Sequence, residues 1–482
     1  MKSLLRLTRH LGHDAISLRK TAVFVFISVL FFPICSRAQS LLNFPHVLGP
    51  LEFGTTGFAV VNPGATDAMA TFTLFGPDGT SLKSSTRKIG SRGQLARLAS
   101  ELFPATLAAG WVQVTSPTTG LQGFWFGGDF ATIGDGSEPA ASASELILPM
   151  ITPGSEIHVV NTGSTDVTVI MSLLNGDGFE LDQRFPQLIR SNGFFKANVA
   201  DIFRKADLNQ ATHMRLKCAC PANAFAAVVL ARDFIAKPSL AVLNALPAST
   251  STQTIVFPHL VDGVQGSTNW GSVISVTNLS AVSTNDITIL FTAQNGTTRT
   301  VQRTLQPNGT VRETARDMLG FTTGFQNGWI RVSSASSLPI TGFLAYAEIV
   351  GAGVAVVSPQ VDAQTNLLFL QIVDRPPWWT GLALLNANPR GTATVKLYAI
   401  NPDGSLIGAT EFPLQFGTKV AKLLSEWIPA TQNRTSDGGF IFVLSDLPLF
   451  GVELFFTRNM QVIGNIPSAK IPPGSYAPPS SP

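Results

Sequence analysis

Apolar and polar residues alternate in short runs along most of the chain, and the runs recur in a fixed order. Four of them end on an asparagine: Val60-Val61-Asn62, Val159-Val160-Asn161, Val276-Thr277-Asn278 and Leu384-Leu385-Asn386. These anchors are 99, 117 and 108 residues apart. Positions four and two before each anchor are apolar, as in Phe58/Val60 and Ile274/Val276. A period of two places one apolar face on a strand. A turn follows each anchor, at Asp78-Gly79, Asp177-Gly178, Asn295-Gly296 and Asp403-Gly404. Such pairs supply the positive φ that tight hairpins need. An acid in a short helical phrase comes next, at Glu101, Asp201, Asp317 and Glu426, and then a strand opening on Trp111, His213, Trp329 or Phe440.

Repetition of this order predicts four units of about 100 residues, each with six or seven strands, a size that can bury its own core. The expected fold is all-β: four tandem immunoglobulin-like or jelly-roll-like sandwiches, strung as independent domains. The boundaries read as 1–38 leader, 39–145, 146–246, a 247–254 linker, 255–364, 365–471 and a disordered Pro-rich 472–482 tail. Phe44-Pro45-His46 opens the first unit and Phe257-Pro258-His259 the third, but the second and fourth lack it. That alternation suggests two blocks of two.

The leader has the pattern of a secretory signal: a basic stretch to Lys20, an apolar run from Thr21 to Phe32, and Ser36-Arg37-Ala38 before the cut. An uncleaved anchor is the alternative, although the run is short for a membrane span. The expected location is outside the cytoplasm: extracellular, cell surface or periplasm. Removing the leader changes the electrostatics. The whole chain carries 33 basic and 30 acidic residues; without the leader's six bases and one acid, 27 and 29 remain. No basic cluster for a phosphate backbone is left, so nucleic acid is not an expected partner. The mature chain also has no expected transmembrane segment.

Two cysteines survive the leader, Cys218 and Cys220. They predict a local disulfide or two free thiols, and they cannot staple four units.

The motif order resembles a tandem β-sandwich module of secreted, uncharacterised proteins from environmental bacteria. The first unit carries it at Phe44-Pro45-His46, Asn62-Pro63, Asp78-Gly79, Gly110-Trp111-Val112 and Gly123-Phe124. The third carries it at Phe257-Pro258-His259, Trp270, Asn278, Gly328-Trp329-Ile330 and Gly342-Phe343. The resemblance implies secretion and sandwich folds, and it transfers no catalytic residue.

Chemistry-bearing motifs are sparse. The four mature histidines, His46, His158, His213 and His259, show no metal-ligand spacing, so no metal or cofactor is expected. No nucleophile elbow, phosphate loop or dinucleotide fingerprint is present. The segment from Asn175 to Asp182 faintly resembles a calcium loop, but its carboxylates are misplaced and it aligns with the hairpin turn. Tryptophans are the best candidates for binding: Trp270, Trp378 and Trp379, of which Trp379 is expected to be more exposed than Trp378. An exposed indole stacks on a sugar or fills a partner's pocket. Two function classes follow. One is a non-catalytic structural, adhesive or interaction protein with an extracellular protein or glycan partner. The other is a carbohydrate-binding protein using exposed aromatics.

Overall fold

The four stretches fold alike. In the first, Ser40–Leu48, Gly110–Ser116, Ala68–Phe75 and Ser81–Ile89 form one antiparallel sheet, in that order. Gln94–Leu98, Thr56–Val61, Gln122–Gly128 and Gly134–Ser137 form the facing one. Apolar side chains from both sheets, among them Phe44, Phe58, Phe72, Val114 and Trp125, meet between them. The same eight-strand arrangement recurs around the other three anchors. In the fourth, one long strand, Phe440–Thr457, crosses from the first sheet into the second. This computed structural model describes residues 39–234, 239–249, 252–351, 353–432, 434, 438–471, 476 and 478. The expected leader lies outside the described residues.

Each unit therefore has eight main strands rather than six or seven, and two-residue strands, Leu246–Pro247 and Ala469–Lys470, extend a sheet of the second and fourth. Its second strand pairs with the fifth and its third with the sixth, the central pairs of an immunoglobulin sandwich. The first strand departs from that plan by joining the sixth.

The anchor asparagines explain why the repeat is legible. Each is buried. Asn62 Nδ2 donates to the carbonyls of Thr66 and Gly90 at 2.8 and 3.1 Å, and its Oδ1 accepts the Gly64 N–H at 3.0 Å. Asn161, Asn278 and Asn386 repeat this pattern with local backbone partners. One amide thus satisfies three backbone groups where the second strand ends, and aspartate or leucine would leave some of them unpaired. Two of the recurring acids cap their short helices. Glu101 and Glu426 each accept a backbone N–H at 2.8 Å, from Leu98 and Leu423.

The units are not beads on a string. The eighth strands, Gly134–Ser137, Ala241–Asn244, Val354–Val357 and Ile463–Pro467, touch in a closed cycle: first against second, second against third, third against fourth, fourth against first. Their outward faces enter a neighbour's core. Val242 packs into the first unit's core, Val354 and Val356 into the second's, and Ile463 into the third's. Three of the four hairpins, at Gly79, Gly178 and Gly404, press against a neighbouring unit, whereas Gly296 faces open space. A Cβ on Gly79, at φ 82°, would lie 1.7 Å from Ser191 O; on Gly404, at φ 86°, it would lie 2.8 Å from Arg92 O. These turns need glycine both for their backbone and for the next unit's approach. Shared cores replace the expected independent ones because strands such as Phe225–Ala231 are buried on both faces.

The segment expected to link the middle units is tied at both ends. Leu246–Pro247 pairs with Glu145–Leu148, Ala248 N–H bonds Glu145 O at 3.0 Å, and Thr252 O accepts the Ile340 N–H at 2.8 Å. Within the expected tail, Tyr476 is buried against Phe442, with ring centroids 4.5 Å apart.

Candidate functional site

Buried polar side chains gather where one unit meets the next. At the first seam, between units one and two, His158 Nδ1 accepts the Val47 N–H at 3.0 Å. Its Nε2–H then faces Glu156 Oε1 at 2.8 Å, and Lys196 reaches the same oxygen at 3.2 Å. His46 lies flat on Trp125, centroids 4.3 Å apart and planes within 3°. Burial drives both histidines toward the neutral form. Burial also works against the Glu156 carboxylate, but His158 and Lys196 outweigh it and hold its pKa down to about 2.

The second seam centres on His213. Its Nδ1 meets the hydroxyls of Thr212 and Thr310 at 2.9 and 3.1 Å. Burial, with Arg312 and Arg215 close by, lowers its pKa to about 3. Arg312 crosses this seam from the third unit and donates to the carbonyls of Ile151, Pro149 and Thr212. Its guanidinium also sits 5.4 Å from the Phe343 ring centre, and burial lowers its pKa to about 10.

At the third seam, Lys419 Nζ donates to His259 Nδ1 at 2.7 Å and to Asn327 Oδ1. No carboxylate pairs with it among the described residues, and burial lowers its pKa to about 7. At the fourth seam, which closes the ring, Gln94 Nε2 donates to Leu370 O at 2.6 Å and Gly439 O at 3.0 Å.

The strand-opening residues act at these same joints. Trp111 Nε1 donates to Asn192 O at 2.7 Å, and Trp329 Nε1 to Gly417 O at 3.3 Å. His213 holds the equivalent place at the second seam. Phe440 does so at the fourth, beside Val61.

Chemically, this arrangement fastens. The Nδ1 lone pairs of His158, His213 and His259 face a backbone N–H, two hydroxyls and an ammonium. The four recurring acids stay on their separate helices. Asn175 Oδ1 accepts the N–H groups of Asp177 and Phe179 at 3.1 and 2.9 Å, so the faint calcium loop is a turn. Two carboxyls, Asp135 and Glu453, are fully buried, and burial raises both well above the usual carboxylate range. A cavity of about 200 Å³ opens beside His46 and Trp125, walled by Glu52, Asp129 and Arg232.

The tryptophans proposed from the sequence are dispersed. Trp378 is half-buried at the closing seam, 5.8 Å from Phe455 and 6.5 Å from Phe126. Trp379 faces the other side of the strand, beside Phe456 at 6.1 Å. Trp270 is half-buried against the third unit's core. No ring contact joins Trp270 to the other two among the described residues. Cys218 and Cys220 are bonded to each other, with Cα atoms 5.3 Å apart. No helix among the described residues is long and apolar enough to cross a membrane. Gln94, Arg312 and Lys419 had no signal in the sequence, because single polar residues on half-buried strands read as solvent-facing.

No protein-family model matches the chain, and no curated protein does. Among solved structures it is similar to a tetra-tandem repeat from the extending region of a large adhesion protein, at 12% identity. That match covers 90% of this chain and 99% of the other, with a TM-score of 0.11.

Proposed function

We propose that the chain is a non-catalytic secreted or cell-surface protein with a structural, adhesive or interaction role. The observation that carries this reading is the use made of its histidines. His46, His158 and His213 are buried and His259 is half-buried, all at joints between units, and His158, His213 and His259 spend their Nδ1 lone pairs on groups there. The buried Arg312 and Lys419 serve the same joints. Side chains that elsewhere do acid–base chemistry thus hold four sandwiches in one body, and the outer strands are left as a broad polar surface for contact. Binding of the purified mature chain to extracellular-matrix proteins, cell-wall polymers and a glycan array tests this reading. Saturable binding without turnover of the bound polymer is expected; turnover would refute it.

Carbohydrate binding is the second reading, favoured by the half-buried Trp378 and Trp379 on opposite faces of one strand. Glycan binding that disappears in Trp379→Ala would establish it over the first.

A further inference from the structure

Three of the four seams join units that follow one another along the chain. The fourth seam joins units one and four by side chains and backbone contacts alone. Asp135 of the first unit takes a backbone hydrogen bond from Asn465 of the fourth, and most of the rest of the polar part sits on one residue. Besides Leu370 O and Gly439 O, Gln94 Nε2 reaches Gln371 Oε1 at 3.1 Å, and its Oε1 accepts the Gly439 N–H at 2.7 Å. The Gln94 backbone N–H donates to Pro402 O at 2.8 Å. One buried residue therefore grips three separate segments of the fourth unit. The positions paired in the same way with the residue before each other anchor hold Phe194, Thr310 and Lys419. Thr310 and Lys419 also cross a seam, the one to His213 and the other to His259 and Asn327, but neither side chain both donates to and accepts from backbone groups as the Gln94 amide does.

Its apolar part is covered by the chain's own end. Val61 and Phe124 of the first unit share one buried cluster with Phe440, Phe442, Ile471 and Tyr476. Tyr476 packs on Phe440 and Phe442, with centroids 6.0 and 4.5 Å away. Aromatic packing of this kind is strong, and Tyr476 adds it to the cluster that Val61 and Phe124 share.

We propose that the seam between the fourth and first units is a latch, with Gln94 as its bolt and Tyr476 as its strap, and that the ring opens at this joint while the other three stay closed. Closure is intramolecular, so the latch is favoured by the high effective concentration of the two faces. Loss of the bolt or the strap shifts the balance toward an open chain of four joined units.

Hydrogen exchange on the full mature chain tests this at single amides, since local opening appears as local loss of protection. Gln94 and Gly439 N–H report the latch. Val47, Thr310 and Gly353 N–H report the first, second and third seams through their bonds to His158 Nδ1, Gly176 O and Met460 O. In Gln94→Met and in Tyr476→Ala, latch amides are expected to exchange at least tenfold faster, with the other three unchanged and a larger radius of gyration in solution scattering. The unsubstituted chain in mild denaturant should release its latch amides first, a readout that needs no variant to fold. The latch is refuted if the four seams lose protection together in the unsubstituted chain, or if Gln94 and Gly439 stay protected in both variants.

Discussion

The first and third seams begin from the same three residues and end in opposite electrostatics. Phe44-Pro45-His46 and Phe257-Pro258-His259 occupy equivalent strands, with His46 buried and His259 half-buried. At the first seam a second histidine, His158, hands its proton side to Glu156, and Lys196 balances the carboxylate. At the third, His259 accepts from Lys419, and no acid among the described residues answers the cation. Equivalent backbones thus tolerate either an ion-paired joint or one held by a lysine that burial pushes toward neutrality. Their pH responses should therefore run over different ranges, although the strands are the same.

The largest effect expected is from the tryptophans that span the two seams. Trp111 is fully enclosed and Trp329 nearly so. Trp111→Ala should cost about 3–5 kcal/mol, the range for a large buried aromatic. Trp329→Ala should cost less, because its indole bond is longer. Denaturant melts of the two variants check this, and equal losses would mean that the seams are energetically alike.

Lys419 gives the next effect. Its pKa is about 7 in the folded chain, against about 10.4 when unfolded. Between those values the unfolded chain binds a proton that the folded chain has released, so rising pH favours folding through this group. The stability of the native chain relative to Lys419→Met should rise by up to about 1.4 kcal/mol per pH unit from pH 7.5 to 9.5. A difference that stays flat over that range would show that the ammonium is not desolvated.

Glu156 has the same sign over a lower pH range. Its folded pKa lies below the unfolded one, so its contribution is present above about pH 4.5 and fades as pH falls through about 2. Glu156→Gln should be destabilised by about 1–2 kcal/mol at pH 7 and indistinguishable from the native chain near pH 2. Thermal melts at the two pH values decide it. The smallest effect expected is from Trp379→Ala. Its indole is half-buried and has Phe456 as its ring neighbour, and the cost should stay under about 1 kcal/mol.

Much of the fold could be read from residue order. The anchor asparagines, hairpin glycines and helix-capping acids are local devices, and each leaves its mark within a few residues. Closure into a ring does not, because it depends on which unit meets which. One clue was present in the sequence. Phe225-Ala226-Ala227-Val228-Val229-Leu230-Ala231 and Val354-Ala355-Val356-Val357 are continuously apolar, the mark of strands covered on both faces. A free-standing sandwich would have shown alternation there. The candidate site was less legible. Trp111, His213, Trp329 and Phe440 stood out as bulky strand openers, but only the structure shows that each faces the following unit, and that the fourth faces the first.

The closing seam also sets a timetable for synthesis. A chain made from its N-terminus completes the first unit long before residues 440–476 exist. Val61, Phe124 and Phe126 then stay uncovered on the nascent protein until the last strands and Tyr476 arrive. During that interval the same apolar surface is open to any other partly made copy. Slow delivery of the fourth unit should therefore lower the yield of closed rings, whereas slow delivery of the second should matter far less.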